Sequence, residues 1–383
     1  MRKVYVVGAS LMKVSRYYDL GLRELAYNVA SKVLEEAGNP KVEALIVGNM
    51  LSSSLGGQDN LGSLLADYMG LCGIPALKVE SGEASGGSAV YIGYNLVASG
   101  IHDVVMVCGV EKCTEHPIRT FNTALAQSLD CEYESYYGVT QASLAALTMQ
   151  LYMKRYNVSR ESLAEWPVLM HENASKNPQA MLRFRITRDQ VLQSPPISEP
   201  IRLLDSHPVC DGAAAIILAS KDKARKLTDT PIEIAACEIS TDRVYYASRE
   251  DPLTFRSTIE SSRKACKKAR IEIKDIGFVE LHDDYTITGI IAIEDLGFTS
   301  KGETVKELLD GRFRPGDKPS INLSGGLKAR GHPLGATGVY QIAELIMQLI
   351  GEFPGASSIT YDVALAHSVG GYGSTSVVTI LKR

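Results

Sequence analysis

No CxxC pair occurs in this chain of 383 residues, and its seven cysteines, at 72, 108, 113, 131, 210, 237 and 266, are an odd number. That spacing and count argue against a structural zinc site and a disulfide framework. They lead us to expect reduced thiols in a cytoplasmic protein. Charge of one sign is also missing. The 40 Lys+Arg face 44 Asp+Glu, the net charge is -4 and there is no long basic run, so no nucleic-acid partner is expected. Long hydrophobic runs are lacking too. Stretches such as Val104–Val110 are far too short to span a bilayer, and no membrane partner is expected. The start, Met1 to Gly8, carries two basic residues, but its apolar run is strand-sized and ends in Gly, unlike a secretory signal. Tryptophan is limited to Trp166. With 45% hydrophobic and 22% charged residues, the composition is that of a soluble globular protein. At about 150 residues per domain, the length allows two or three domains.

Apolar spacing reads as strands alternating with helices, which favours an α/β architecture. A strand is expected at Val4–Val7. A helix with apolar positions from Leu22 to Leu34 follows, with Asp19 as its cap and Gly38-Asn39-Pro40 as its stop. A second strand is expected at Glu43–Gly48. The Gly-rich turn Ser81–Gly87 opens a helix running to about Ser99, and Asp103–Cys108 reads as a central strand. From about 112 to 200 the alternation lapses; this polar stretch holds Tyr133, Tyr136, Tyr137 and Trp166, and reads as an inserted lid or as helical padding. Alternation resumes at Asp211–Leu218, and the charged stretch Lys221–Asp229 marks a boundary between halves. Beyond it come strands near 232–239, 277–281, 359–366 and 375–382, with helices near 252–269 and up to Ile350. The same order of elements recurs, as an internal duplication would give.

Four segments could carry chemistry. Asn322–Gly338 places five glycines in 17 residues around His332, just before a helix. Glu280-Leu-His-Asp-Asp-Tyr285 follows an apolar strand, at the strand end where α/β sheets place ligands. Ala366–Gly373 sets His367 beside a Gly turn. Ser81–Gly87 puts Glu83 at the mouth of a helix, where exposed N–H groups favour a carboxylate by roughly 0.3–1 kcal/mol. Helix capping and local hydrogen bonding are the plainer readings of each. Imidazoles titrate near neutrality and serve as acid, base or donor.

Taken together, these segments resemble the thiolase superfamily over nearly the whole chain. Gly331-His-Pro-Leu-Gly-Ala-Thr-Gly338 matches the family pattern Gly-His-Pro-x-Gly-Ala-Thr-Gly. His282-Asp-Asp-Tyr285 is similar to the His-Asp-x-aromatic motif of archaeal and sterol-carrier-linked thiolases. Asn173–Pro178, Asp211–Ala215 and Gly109–Lys112 also look like thiolase. The resemblance implies an α/β thiolase fold, five αβαβα layers built from two βαβαβαββ halves with an inserted loop domain. On this division, residues 1–118 form the first part of the N-terminal half and 119–200 the loop domain. Residues 201–225 give that half's last strand, and 226–383 the C-terminal half. It also implies acyl transfer between coenzyme A thioesters, by Claisen condensation or thiolysis, with CoA or acyl-CoA as substrate and no permanent cofactor or metal. A homodimer or homotetramer is implied.

One departure stands out. Where the family has its nucleophile in Cys-Ala-Ser-Gly-Gly, this sequence reads Glu83-Ala-Ser-Gly-Gly87, and Cys72 lies 11 residues upstream. The second family cysteine is also missing. The segment around it reads His367-Ser-Val-Gly-Gly371, and Asp284 stands where the sterol-carrier-linked branch has Cys. His332 matches the residue that activates the nucleophile and helps hold the enolate, and His282 matches the position of the second element of that hole. His367 sits by the turn whose backbone N–H helps hold the acyl oxygen. Ser324, Gly325 and Gly371, with Arg183 and Arg185, are the expected CoA contacts; Arg183, Arg185 and Arg188 reach the CoA phosphates only if the loop domain folds back, and a solvated face is the plainer reading of all three. Glu83 could attack a thioester as a nucleophile or act as a general base, and ordinary ping-pong thiolysis should be weak or absent. The other reading is a non-catalytic subunit. It would sit beside a hydroxymethylglutaryl-CoA synthase-like protein and a zinc-ribbon/OB-fold protein. An engineered Glu83 is a third.

Overall fold

The computed structural model describes residues 2–383. The first half runs β1 (Val4–Leu11), α1 (Leu22–Glu36), β2 (Ala44–Gly48), α2 (Leu61–Tyr68), β3 (Ala76–Val79), α3 (Ser85–Ser99) and β4 (Val104–Glu111). An excursion follows through α4 (Ile118–Leu125), α5 (Gln141–Tyr156), α6 (Arg160–Leu163), α7 (Glu165–Ala174) and α8 (Arg188–Gln193). It closes with the small hairpin β5 (Pro196–Ser198) and β6 (Ile201–Arg202), and the half then ends on β7 (Gly212–Ser220). After α9 (Lys221–Leu227) the second half repeats the order. It runs β8 (Ile232–Thr241), α10 (Arg256–Ala269), β9 (Phe278–Glu280), α11 (Thr286–Leu296), α12 (Thr304–Leu309) and β10 (Ser320–Ile321). It then passes α13 (Gly326–Ala329) and α14 (Thr337–Ile350) to end on β11 (Val363–Gly370) and β12 (Thr375–Lys382).

Ten strands hydrogen-bond in the order β10-β9-β11-β12-β8-β1-β7-β4-β2-β3. The order is symmetric about the β1–β8 pair. On each side of that pair lie one antiparallel neighbour, β7 or β12, and then three mutually parallel strands. Strands β2, β4 and β7 are buried along their whole length, as strands covered on both faces should be. Helix α1 covers one outer face and α10 the other, while α3 and α14 touch each other and strands of both halves. Both inner helices are buried over most of their residues, and α14 brings Gln341, Glu344 and Gln348 inside, where the His367 carbonyl, Arg330 and Glu280 meet them. The result is the αβαβα layering expected above. No helix among the described residues is long and apolar enough to cross a membrane.

Glycine makes the central layer possible. A Cβ on Gly338 would lie 2.2 Å from the backbone nitrogen of Gly87, so the first turns of α14 and α3 meet backbone to backbone. Backbone atoms cannot swing aside as a side chain can. Gly338→Ala is therefore expected to cost about 3 kcal/mol or more, at the upper end of overpacking effects. Urea unfolding reads this directly, and an unchanged midpoint would mean that the two helices part without cost.

Two local expectations are corrected. Helix α1 starts behind Gly21 with no side-chain cap, and Asp19 is an exposed residue ahead of it. The strand expected near 359–366 lies at Val363–Gly370, because its pairing with β12 runs from Val363↔Lys382 to Gly370↔Thr375. His367 is thus inside a strand, and the turn follows it.

Candidate active site

Four loops converge where the inner helices begin. The turn before α3 presents Glu83, and the segment after β9 presents His282 and Asp284. The loop between α13 and α14 presents His332, and β11 with its following turn presents His367 and Gly371. The loops are braced by buried carboxylates. Glu111 accepts from the backbone N–H of Met50 (2.8 Å), Leu51 (3.1 Å) and Gly335 (3.0 Å), tying the His332 loop to the end of β2. Glu280 accepts from Ser324 Oγ (2.5 Å) and from Gln348 Nε2 (2.7 Å), which fixes the other end of that loop.

Glu83 is 2% exposed, and both its oxygens are occupied. Oε2 accepts the N–H of Gly371 at 2.8 Å, and Oε1 accepts from Gln141 Nε2. Position 83 immediately precedes the N-cap of α3, so the helix end favours its charge. Burial works the other way and dominates, so the Glu83 carboxyl is held above the usual carboxylate range. Asp284 is pushed up to about 7, first by burial and then by the negative charge of Glu83. Its Oδ1 accepts from Thr288 Oγ1 at 2.6 Å.

Glu83, Asp284, His282, His367 and Gln141 line one small cavity of about 10 Å³, room for a single water. The imidazoles around it are neutral. Burial drives His282 and His332 well below their ordinary value, and His367 to about 3. Neutral His282 has a defined tautomer. Its Nδ1 accepts the N–H of Val369 at 3.3 Å, so the proton sits on Nε2. That Nε2 is 3.9 Å from Asp284 Oδ1, too far for a hydrogen bond, and is free to donate to a ligand. His332 Nδ1 pairs with Thr337 Oγ1 at 2.7 Å, and its buried Nε2 has no partner. His367 Nε2 pairs with Thr258 Oγ1 at 3.0 Å, and its Nδ1 is likewise unpartnered.

Because two carboxyls face one cavity, ionising either raises the other. A reaction that needs ionised Glu83 should speed up as pH rises through the titration of the pair. Beyond burial, it is the Glu83 charge that raises Asp284, so Glu83→Gln is expected to bring the Asp284 titration to lower pH, read by 13C NMR of the Asp284 carboxyl. A titration that stays in place would mean that the two carboxyls do not sense each other.

A second, open cavity of about 730 Å³ adjoins the first, with Gln141 lining both. Its wall includes Phe121, Leu182, Phe184, His207, Tyr285 and Lys328. The rings of His282, His332 and His207 stack edge to face at 5.0 and 4.9 Å, carrying the imidazole row from the small cavity to the large one.

The structure therefore brings together Glu83, His282, Asp284, His332, His367 and Gly371. Ser324 and Gly325 serve the backbone instead: Ser324 binds Glu280, and Gly325 passes so close to Ala174 that a Cβ would meet it at 2.5 Å. Arg183 and Arg185 are exposed and line neither cavity, and Arg185 lies 3.8 Å from Glu172. The neighbouring Leu182 and Phe184 face the large cavity instead. Three site residues escaped the sequence reading: Gln141, His207 and Lys328. Only Lys328 carried a local signal, as a cation inside the Gly-rich motif.

Fold and site define a duplicated α/β protein with a closed cluster of acids and imidazoles at the seam of its halves. The family description "Thiolase, N-terminal domain" matches residues 4–222, and "Thiolase C-terminal domain-like" matches residues 240–383. The chain is 42% identical over 386 residues to an acetyl-CoA acetyltransferase of Methanothermobacter thermautotrophicus, covering 100% of both chains. It is 30% identical over 376 residues to the benzoylsuccinyl-CoA thiolase subunit BbsB of Thauera aromatica, covering 97% of this chain and 95% of that one. Among solved structures, an Ltp2-ChsH2(DUF35) aldolase chain superposes with a TM-score of 0.85 at 20% identity, covering 98% and 97%. This protein belongs to the thiolase family and has the thiolase fold, as the resemblance of its motifs implied.

Proposed function

We propose that the chain holds the CoA part of an acyl-CoA in the large cavity, with the thioester carbonyl reaching past Gln141 toward Glu83 and His282 at the small one, and makes or breaks a carbon–carbon bond beside that carbonyl, an acyl transfer of Claisen type. Glu83 acts as the general base, and His282 and His332 hold the enolate oxygen. The proton passes from the α-carbon to Glu83 while the C–H electron pair moves onto the carbonyl oxygen. The enolate carbon then bonds to the thioester carbonyl carbon of a second acyl-CoA, the tetrahedral adduct breaks its C–S bond, and the departing CoA thiolate takes up the proton held on Glu83. In reverse, CoA gives its thiol proton to Glu83, its thiolate attacks the 3-keto carbonyl, the C–C bond breaks and the enolate carbon takes the proton back.

The hydrogen bonding of Glu83 carries this reading. Its Oε2 accepts the N–H of Gly371, which lies in the turn whose backbone N–H the family resemblance assigns to the acyl oxygen. A carboxylate seated there fills the hole that an acyl group on Glu83 would need, whereas a base needs no such hole. Burial raises its affinity for a proton, as base catalysis on a carbon acid requires. Gln141 suits both states of the base. Its amide donates to the ionised carboxylate, and with its two ends exchanged it accepts from the protonated one.

The acetyltransferase name of the archaeal relative supports CoA thioesters as substrates. The name of the Thauera relative, a subunit, supports work beside a second chain. A zinc-ribbon/OB-fold protein or a hydroxymethylglutaryl-CoA synthase-like protein is the expected partner of a cytoplasmic homodimer or homotetramer.

The test is acetyl-CoA in D2O with the native chain, following the methyl proton signal by NMR. The signal should fade as deuterium enters. If CoA binds and the signal persists, the chain is a CoA-binding subunit without enolate chemistry.

A further inference from the structure

Lys328 is the one buried lysine among the described residues, at 1% exposure. Lysines are almost never fully buried without a partner. Arg330, two residues on and equally buried, has one: its Nη1 lies 2.8 Å from Glu344. Among the described residues no carboxylate lies within ion-pair distance of Lys328, and its only polar contact is His171 Nε2 at 3.5 Å. Burial holds His171 neutral, at about 4, and its Nδ1–H is spent on the carbonyl of Phe184 at 2.9 Å.

Two acids act on Lys328 through space, Asp205 and Asp283, and both are committed elsewhere. Asp205 binds Arg160, the N–H of Arg202 and Thr286 Oγ1. Asp283 takes the N–H of Leu327 at 2.7 Å and Trp166 Nε1 at 3.0 Å. Burial lowers Lys328 to about 8, so at pH 7 it remains mostly an ammonium. It borders the 730 Å³ cavity beside His207, whose ring stacks on His332. Lys328 therefore borders that cavity on the side of the His207–His332 ring pair, and its ammonium has a single hydrogen-bond partner among the described residues.

We propose that Lys328 is a specificity residue that receives a second carboxylate on the acyl group, so that the preferred substrate is the CoA thioester of a dicarboxylic acid. The inference rests on the CoA reading above. A carboxylate on the ligand would satisfy the ammonium and offset its burial, which a plain alkyl chain cannot do. Most of the remaining wall is apolar, and its one other cation, Arg16, is solvent-exposed, so a ligand carboxylate there would gain less than one paired with the buried Lys328.

Calorimetric titration of the full chain tests this with three ligand sets. These are free CoA, the straight diacid thioesters succinyl-, glutaryl- and adipyl-CoA, and neutral counterparts in which an isopropyl group replaces the terminal carboxylate. At least one diacid thioester should bind about tenfold or more tighter than its neutral counterpart, the scale of a hydrogen bond to a charged group. Lys328→Met should reduce that ratio to near one, and Lys328→Arg should keep part of it. Absence of any diacid preference in the native chain overturns the inference, and this arm needs no variant to fold. A Lys328→Met chain that loses free CoA as strongly as the diacid thioester would also overturn it, because Lys328 would then be reading the pantetheine. Failure to bind CoA at all would overturn the CoA reading along with it.

Discussion

Replacing Glu83 by Gln will slow deuterium entry at the α-carbon of acetyl-CoA by about 10²–10⁴-fold, the usual contribution of a positioned base. The substitution is nearly isosteric. The carbonyl of the new amide can still accept the Gly371 N–H, so the turn keeps its shape, and only the capacity to take a proton is lost. Glu83 does not line the large cavity, so CoA affinity should change by less than about twofold. A parallel loss of CoA affinity would instead mean that the turn itself had collapsed.

His332→Ala should cost about 10²–10³-fold in the same exchange, the scale of losing one oxyanion-hole donor. Its Nε2 is buried without a partner, so the native chain already bears the cost of desolvating a group it does not satisfy. Substrate oxygen is the natural recipient. The imidazole also fills the space between the rings of His282 and His207, so His332→Asn is the better-packed comparison. If both variants exchange at the native rate, His282 Nε2 is sufficient as the donor.

Much of this site was legible because tight backbone approaches leave a composition signature. Gly338 and Gly86 must lack side chains where α14 meets α3, and that is why the two Gly-rich segments stood out. Neutral histidines at strand ends and loops were legible for a related reason, since few residue types serve as buried donors. Gln141 and His207 were not. Each stands in an ordinary local sequence and matters only through contacts made across 58 residues, from Gln141 to Glu83, and through ring stacking, from His207 to His332. Helix α11 was missed because every residue from Thr286 to Leu296 is buried. A helix covered on all sides has no polar face to mark its period. The competition at Glu83 between helix end and burial was visible as a question. Its answer needed the full enclosure that only the packed turn after β11 supplies.

Mass spectrometry of the native chain tests the central claim most directly. The chain would be incubated with acetyl-CoA in D2O, then digested, and both substrate and peptides weighed. If Glu83 is a base, acetyl-CoA gains deuterium while the peptide containing Glu83 stays unmodified under rapid acid quench. An acetyl group on Glu83, turning over at the rate of the reaction, would contradict the account and make the carboxylate a nucleophile.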